Sequence, residues 1–298
     1  MGQVPEKEFG DVKVAVIAHV FYPEFWPELA RCICTVGDAC DLFVTYVDES
    51  AVAAARRDFP SARFVACENR GYDIWPFLKV LQGIPLDDYD LVIKLHTKRD
   101  VTGELLVLNH AWVGGSAWRE RLLAFVATGD AWRRTLRCFT DPRIGMVADR
   151  HLVFRRGDLP AELDGSFNRA REEFRRLTGF AVPAEAEYVA GTMFAARPTA
   201  LKPLLARRFE VSMFEPPAGH RCETYAHLME RMFGFSVAAA GLRIAAFNGS
   251  LVWRRRYYGR DLLGRICRFL YQVKRDSGTG VATMKVLHVP VRRTREKT

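Results

Sequence analysis

The chain has 298 residues, 49% apolar and 27% charged, with a formal net charge of +9. These values describe a soluble globular protein large enough for one big domain or one and a half, with a sizeable core. No stretch reaches the roughly 18 uncharged apolar residues a spanning helix needs, and the opening "MGQVPEKEFG" lacks the apolar centre of a signal peptide, so a cytoplasmic location is expected. The seven cysteines are scattered with no C-x-x-C pair, which suits a reducing compartment and offers no zinc framework. Charge is unevenly spread: residues 251–298 hold 13 basic and 3 acidic side chains, leaving 31 and 32 for the rest. The basic character belongs to the tail.

In chain order, "VKVAVIA" (12–18) reads as a buried strand and 24–36 as a helix. "DLFVTYV" (41–47) is a second strand with a helix at 49–58, and 62–67 a third, whose helix starts after Asp73. "DLVIKL" (90–95) is a fourth strand. Four strand–helix steps predict a mostly parallel sheet with helices on both faces. Beyond Lys98 the pattern turns helical, at 118–127 and 130–139, before the strand "RIGMVAD" (143–149). Residues 165–177 read as a surface helix or flap, 187–196 as one strand, 198–207 as helix, and 223–233 as a helix after a Pro/Gly loop.

Ligands of open parallel sheets bind outside the carboxyl ends of the strands, so the strand exits are the first candidates. They bring His19, the run "ENRGYD" (68–73) and the run "KLHTK" (94–98) toward one crevice. In "NRGYDIWPF", Gly71 suits positive φ, Asp73 a helix N-cap and Pro76 the first helical turn, so local structure accounts for all three, with Gly71 and Asp73 also kept as donor-binding candidates and Asp73 contacting the nucleotide as the alternative to capping. It does not account for Asn69 and Arg70, which fit an anion beside helix N–H groups. Strand alternation puts Lys94, His96 and Lys98 on one face, a cluster that an anion such as a diphosphate would neutralise. Gly191 and Thr192 in "AGTMF" would let a sugar ring approach the backbone, with a strand bulge as the plain alternative. Glu223, His227 and Glu230 share a helical face at a spacing that can ligate a metal, though a solvated polar face is commoner.

The blocks "VAVIAHVFYPEFWPEL" (14–29), "DLFVTYV" (41–47), "ENRGYDIWPFL" (68–78), "YDLVIKLHTKRD" (89–100), "DPRIGMVAD" (141–149), "AGTMFAARPTALKPLL" (190–205) and "ETYAHLMERMFG" (223–234) resemble the rhamnan synthesis protein F family of bacterial glycosyltransferases. The resemblance runs from residue 12 to about 245. It implies transfer of a sugar from a nucleotide donor, usually dTDP-rhamnose, onto a growing cell-surface polysaccharide or lipid-linked glycan. It also implies a GT-A-like α/β domain at 12–250, divided at 100 into a nucleotide-binding half and an acceptor half, after an extension at 1–11. Many such transferases end the donor strand in Asp-x-Asp, which holds a divalent metal. Here the strand ends in Lys-Leu-His-Thr-Lys, and Asp88-Tyr89-Asp90 precedes it. The expectation is therefore metal-independent stabilisation of the leaving group by Arg70 with Lys94, His96 or Lys98, with Mg²⁺ or Mn²⁺ the alternative. An inverting transfer needs a carboxylate base; Glu223 is the first choice and Asp149 the reserve. A non-catalytic saccharide- or nucleotide-binding module of the same fold is the competing reading.

From Leu251 on, Tyr258, Leu262, Ile266, Phe269, Leu270 and Val273 fall on one helical face with arginines opposite. A basic amphipathic helix over 253–275 suits an anionic membrane surface, placing the protein peripherally on the inner face of the cell membrane. Packing of that helix onto the body and RNA binding are the alternatives, and the near-neutral body argues against nucleic acid.

Overall fold

The computed structural model describes residues 12–37, 40–108, 111–156, 161–216, 224–247, 271–276, 281–286 and 289–295. The chain divides into two compact units, Met1–Arg99 with Arg119–Gly249 and Asp100–Trp118 with Ser250–Thr298.

The first unit opens with β1 (Val14–Val20), buried throughout, then α1 (Trp26–Val36), β2 (Cys40–Tyr46), α2 (Ala53–Asp58), β3 (Arg63–Ala66), α3 (Ile74–Leu81) and β4 (Leu91–His96). The four strands are parallel, in the order β4-β1-β2-β3, as the apolar runs foretell. In the second unit β5 (Val101–Leu108) pairs antiparallel with β6 (Ala111–Gly115), a hairpin in a stretch to which the sequence reading assigned no element. The helix expected over 118–127 is shorter, α4 (Ala117–Leu122), and is followed by turns. The first unit resumes at Arg119, within α4, and continues with α5 (Gly129–Cys138), whose N-cap Thr128 accepts a hydrogen bond from the Ala131 N–H, and β7 (Ile144–Asp149).

The remaining elements correct three expectations. β8 (Val153–Phe154) leads to α6 (Ala161–Thr178), the helix of the two alternatives and not a flap, with an inner face the reading missed: Phe167 and Phe174 are fully buried and both meet Phe235 edge-on. The strand expected over 187–196 is two strands in different sheets. β9 (Tyr188–Val189) pairs with β8, and after a turn β10 (Phe194–Ala196) enters the main sheet. α7 (Pro198–Leu205), α8 (Tyr225–Ala239) and β11 (Arg243–Phe247) complete the unit. Finally, β12 (Tyr271–Asp276), β13 (Val281–Val286) and β14 (Val289–Arg295) form an antiparallel sheet. Residues 271–275, expected to continue the basic helix, are therefore extended strand; 253–270 lie outside the described residues. Tyr271 and Val273 alternate with Gln272 and Lys274, a period of two that competes with the helical reading.

The main sheet runs β11-β7-β10-β4-β1-β2-β3. β10 is antiparallel to both β4 and β7, and β11 is parallel to β7, so β10 alone is reversed. Under β4 the core is aromatic: Phe77 of α3, Phe194 of β10 and Phe233 of α8 make a three-ring cluster with centroids 5.5–6.0 Å apart. Such contacts add about 0.5–1.5 kcal/mol per pair beyond simple burial. α8 lies so close to the chain at 187–188 that a Cβ on Gly234 would sit 2.1 Å from the Glu187 carbonyl oxygen. No helix among the described residues is long and apolar enough to cross a membrane.

Candidate functional site

The parallel register determines what meets at the carboxyl edge. His19 of β1 pairs with His96 of β4 on one side and Thr45 of β2 on the other. The His19 Nδ1 is 3.0 Å from the Thr45 Oγ1. Just past β4, the Thr97 N–H donates to the His19 carbonyl, and its Oγ1 accepts from the N–H groups of Phe21 and Tyr22, each at 2.9 Å. Thr97 thereby fixes the β1 exit against the β4 exit. That role was not read from the sequence; the signal was a lone Thr inside a basic run.

The opposite wall is the "NRGYD" turn. Gly71 and Tyr72 both have positive φ, 65° and 52°, which delivers Asp73 to the first turn of α3. Gly71 is required twice over, because a Cβ there would also lie 2.6 Å from the Phe214 ring. Arg70 Nη1 donates to the Phe214 carbonyl at 3.1 Å, tying the turn to the 209–216 loop.

Together these segments enclose a cleft of about 210 Å³, lined by His19, Asn69, Arg70, Asp73, His96 and Lys98 among others. Six residues picked from three separate strand exits thus share one cavity, and Gly71 is part of its wall. Phe21 and Tyr72, two of the few large apolar side chains left exposed among the described residues, stand on its lining.

Asp73 does not cap its helix with its side chain, contrary to expectation. Its carboxylate takes the Lys94 ammonium and, at 2.6 Å, the Thr192 hydroxyl, which itself accepts from Lys94 Nζ at 2.7 Å. Lys94 is 1% exposed and sits over the Phe77 ring. It is therefore a buried partner of Asp73 rather than an open cation on the same footing as Lys98. Burial would raise the Asp73 carboxyl, yet the charges of His96 when protonated, Lys94 and Lys98 hold it well below the usual carboxylate range. Burial pushes the Lys94 ammonium down, against the pull of Asp73 and Glu230.

Thr192 reaches this position because Gly191 and Thr192 have φ of 77° and 54°. The Gly191 N–H donates to Glu230 Oε1 at 2.5 Å, which commits Glu230 to holding the turn. His227 is bonded through Nδ1 to the Thr224 hydroxyl at 2.7 Å, and Glu223 lies outside the described residues. Among the described residues no group of three His, Cys, Asp or Glu converges as a metal cage. Asp149, buried at the end of β7, accepts the His151 N–H at 2.8 Å, faces Arg121 at 3.9 Å and is not part of the cleft lining. The Asp88-Tyr89-Asp90 run sits at the amino end of β4, where Asp90 accepts the Lys13 N–H and Tyr89 donates to Asp41.

His96 is 3% exposed, and neither ring nitrogen has a hydrogen-bond partner among the described residues; Nδ1 stands 3.5 Å from Asp73 Oδ2. Burial lowers His96 well below its usual value and lowers His19 to about 4. For His19 the folded value is depressed, so its stability contribution is complete above the unfolded value of about 6.5 and is lost as the pH falls toward 4. A loss on the order of 2 kcal/mol from this residue is expected between pH 7 and pH 5. Urea titrations at the two pH values check it, and His19→Asn should shrink the difference by about that amount, leaving the part owed to His96; an unchanged difference in that variant would refute the assignment.

An open, mostly parallel sheet flanked by helices, with a cleft at its carboxyl edge, makes this a mixed α/β protein whose candidate site lies at the strand exits. The rhamnan synthesis protein F family model matches residues 1–242, and the chain belongs to that family, whose name ties it to polysaccharide synthesis. Two relatives in strains of Xanthomonas campestris pv. campestris, each described as "Uncharacterized protein WxcX", are 30% identical over 244 residues. The match takes in 79% of this chain but 33% of theirs, so the chain spans about a third of the length of these relatives. A crystal structure described as that of a mycobacterial protein aligns over 95% of this chain and 86% of its own. At 13% identity and a TM-score of 0.32 it carries no weight on fold or function.

Proposed function

We propose that the chain is a glycosyltransferase domain that moves a sugar, rhamnose from dTDP-rhamnose in the first instance, onto a growing cell-surface polysaccharide or lipid-linked glycan. The observation that carries this reading is the gathering of His19, Asn69, Arg70, Asp73, His96 and Lys98 in one cleft. Family membership supplies the polysaccharide context. Counting only the seven strands of the main sheet in chain order, the arrangement is 3-2-1-4-6-5-7 with the sixth reversed, which supports a GT-A-like nucleotide-sugar domain.

In this reading Arg70 and Lys98 face the diphosphate and supply the positive charge that the leaving group needs, in a partly enclosed site where such charge acts strongly. Lys94 contributes through Asp73. A divalent metal is not needed for that role; strict dependence of turnover on Mg²⁺ or Mn²⁺ would overturn this part. The proton of the acceptor hydroxyl goes to a carboxylate, with Glu223 preferred over Asp149 because Asp149 is occupied away from the cleft.

A thermal-shift screen against dTDP, UDP, GDP and CMP, with and without Mg²⁺, tests the reading. Stabilisation by dTDP is expected, about 2.7 kcal/mol at a hundred times its dissociation constant. No response to any nucleotide would defeat the donor assignment; nucleotide binding without transfer or hydrolysis of dTDP-rhamnose would favour a binding module.

A further inference from the structure

The Asp73 carboxylate is used asymmetrically. Lys94 Nζ, the Thr192 hydroxyl and the nearby His96 Nδ1 all fall on Oδ2. No described residue bonds Oδ1, and with the side chain 16% exposed on the cleft lining, that oxygen is the one presented to a ligand. The turns that create this arrangement are both strained: Tyr72 and Thr192 are non-glycine residues at φ 52° and 54°, and a β-branched residue there is a true outlier. Each costs about 1–3 kcal/mol and persists only where the surroundings impose it, a pattern concentrated at ligand sites. Beside it, His96 contributes a buried imidazole with both nitrogens unpartnered among the described residues.

We propose that Asp73 is the sugar-reading residue of the cleft: Oδ2 is fixed to the protein by Lys94 and Thr192, and Oδ1 accepts a hydrogen bond from a hydroxyl of the bound saccharide. The proposal rests on the glycosyl-transfer reading and adds the group that distinguishes a nucleotide sugar from the bare nucleotide. A carboxylate already holding an ammonium and a hydroxyl is a weak proton acceptor, so the geometry suits recognition rather than general-base work. It is also acceptor-only, which favours a ligand that offers an O–H and rejects one that offers an anion at that point. The exposed rings of Phe21 and Tyr72 on the same cleft supply apolar surface against which a sugar or base ring can lie.

The test compares the affinities of dTDP and dTDP-rhamnose by titration calorimetry, using the full chain and its Asp73→Asn variant. Wild type is expected to prefer dTDP-rhamnose by about 10- to 100-fold, the range for a hydrogen bond to a charged group. Asp73→Asn should lose that preference, and the ratio of the two affinities is the readout because the change of charge beside the cleft also acts on dTDP itself. A variant that keeps the preference overturns the proposal, and so does one that weakens dTDP and dTDP-rhamnose equally, since Asp73 would then only support the site's shape. Because the single change leaves Lys94 buried without its counter-charge, Asp73→Asn/Lys94→Met, which removes both charges, carries the same comparison if the single variant fails to fold. If wild type binds neither compound, the nucleotide-sugar reading falls and this proposal falls with it. If wild type binds both but the variants behave like wild type, only the role of Asp73 falls.

Discussion

Lys94→Met is expected to destabilise the protein by about 3–5 kcal/mol, the range for removing one partner of a buried ion pair. The reason lies in what remains. Lys94 is 1% exposed and is the cation bonded directly to Asp73, whose other close partner is the neutral Thr192 hydroxyl. Methionine fills much the same volume and keeps the contact with the Phe77 ring, so the loss isolates the charge. It leaves a largely buried carboxylate without the ammonium bonded to it, so its desolvation is no longer offset by a direct charge partner. Two measurements follow. Urea unfolding should show a lower midpoint with an unchanged slope. Adding Asp73→Asn should recover most of the loss, because replacing both members of a buried pair is close to neutral. A single variant within about 1 kcal/mol of wild type would show that the pair is solvated well enough not to matter.

Phe77→Ala should cost a similar amount, about 3–5 kcal/mol, by a different route. Phe77 is 1% exposed and lies edge-on to both Phe194 and Phe233. Removing it opens a cavity where strand β10, helix α8 and the Lys94 ammonium meet, and three elements held by tight packing have little freedom to close it. Phe77→Leu should recover more than half, which separates lost volume from lost ring contacts. A loss under about 1 kcal/mol for Phe77→Ala would mean that α8 moves in to fill the gap, and the close approach of Gly234 to the 187–188 backbone opposes such a shift.

The parallel half of the fold was legible because strands β1, β2 and β4 are largely apolar runs, and the exits of β1, β3 and β4 carry dense polar groups. The cleft followed from those exits, since the rule that ligands sit at the carboxyl edge needs strand direction and nothing else. What was not legible depends on distant pairing. Lys94 in an apolar strand signals a buried charge, but only the fold shows that its partner is Asp73 and not a ligand anion. Asp73 and Thr192 are 119 positions apart, and their contact depends on a left-handed turn at a threonine, a conformation that no local preference favours. Residues 271–275 misled for a related reason: their apolar and polar side chains suit a strand period as well, and only pairing between strands separates the two.

The placement of β10 has a consequence for the order in which the chain can be made. β4 is complete at residue 96, yet the strand that covers its free edge arrives only at residues 194–196. At about 5–20 residues per second a ribosome takes roughly 5–20 s to supply the hundred or so residues between them. Throughout that interval the nascent protein presents an apolar strand with unpaired backbone groups, together with a lysine whose threonine partner has yet to be synthesised. An isolated fragment ending near residue 100 keeps that exposed edge permanently, and self-association through it is the outcome its geometry favours.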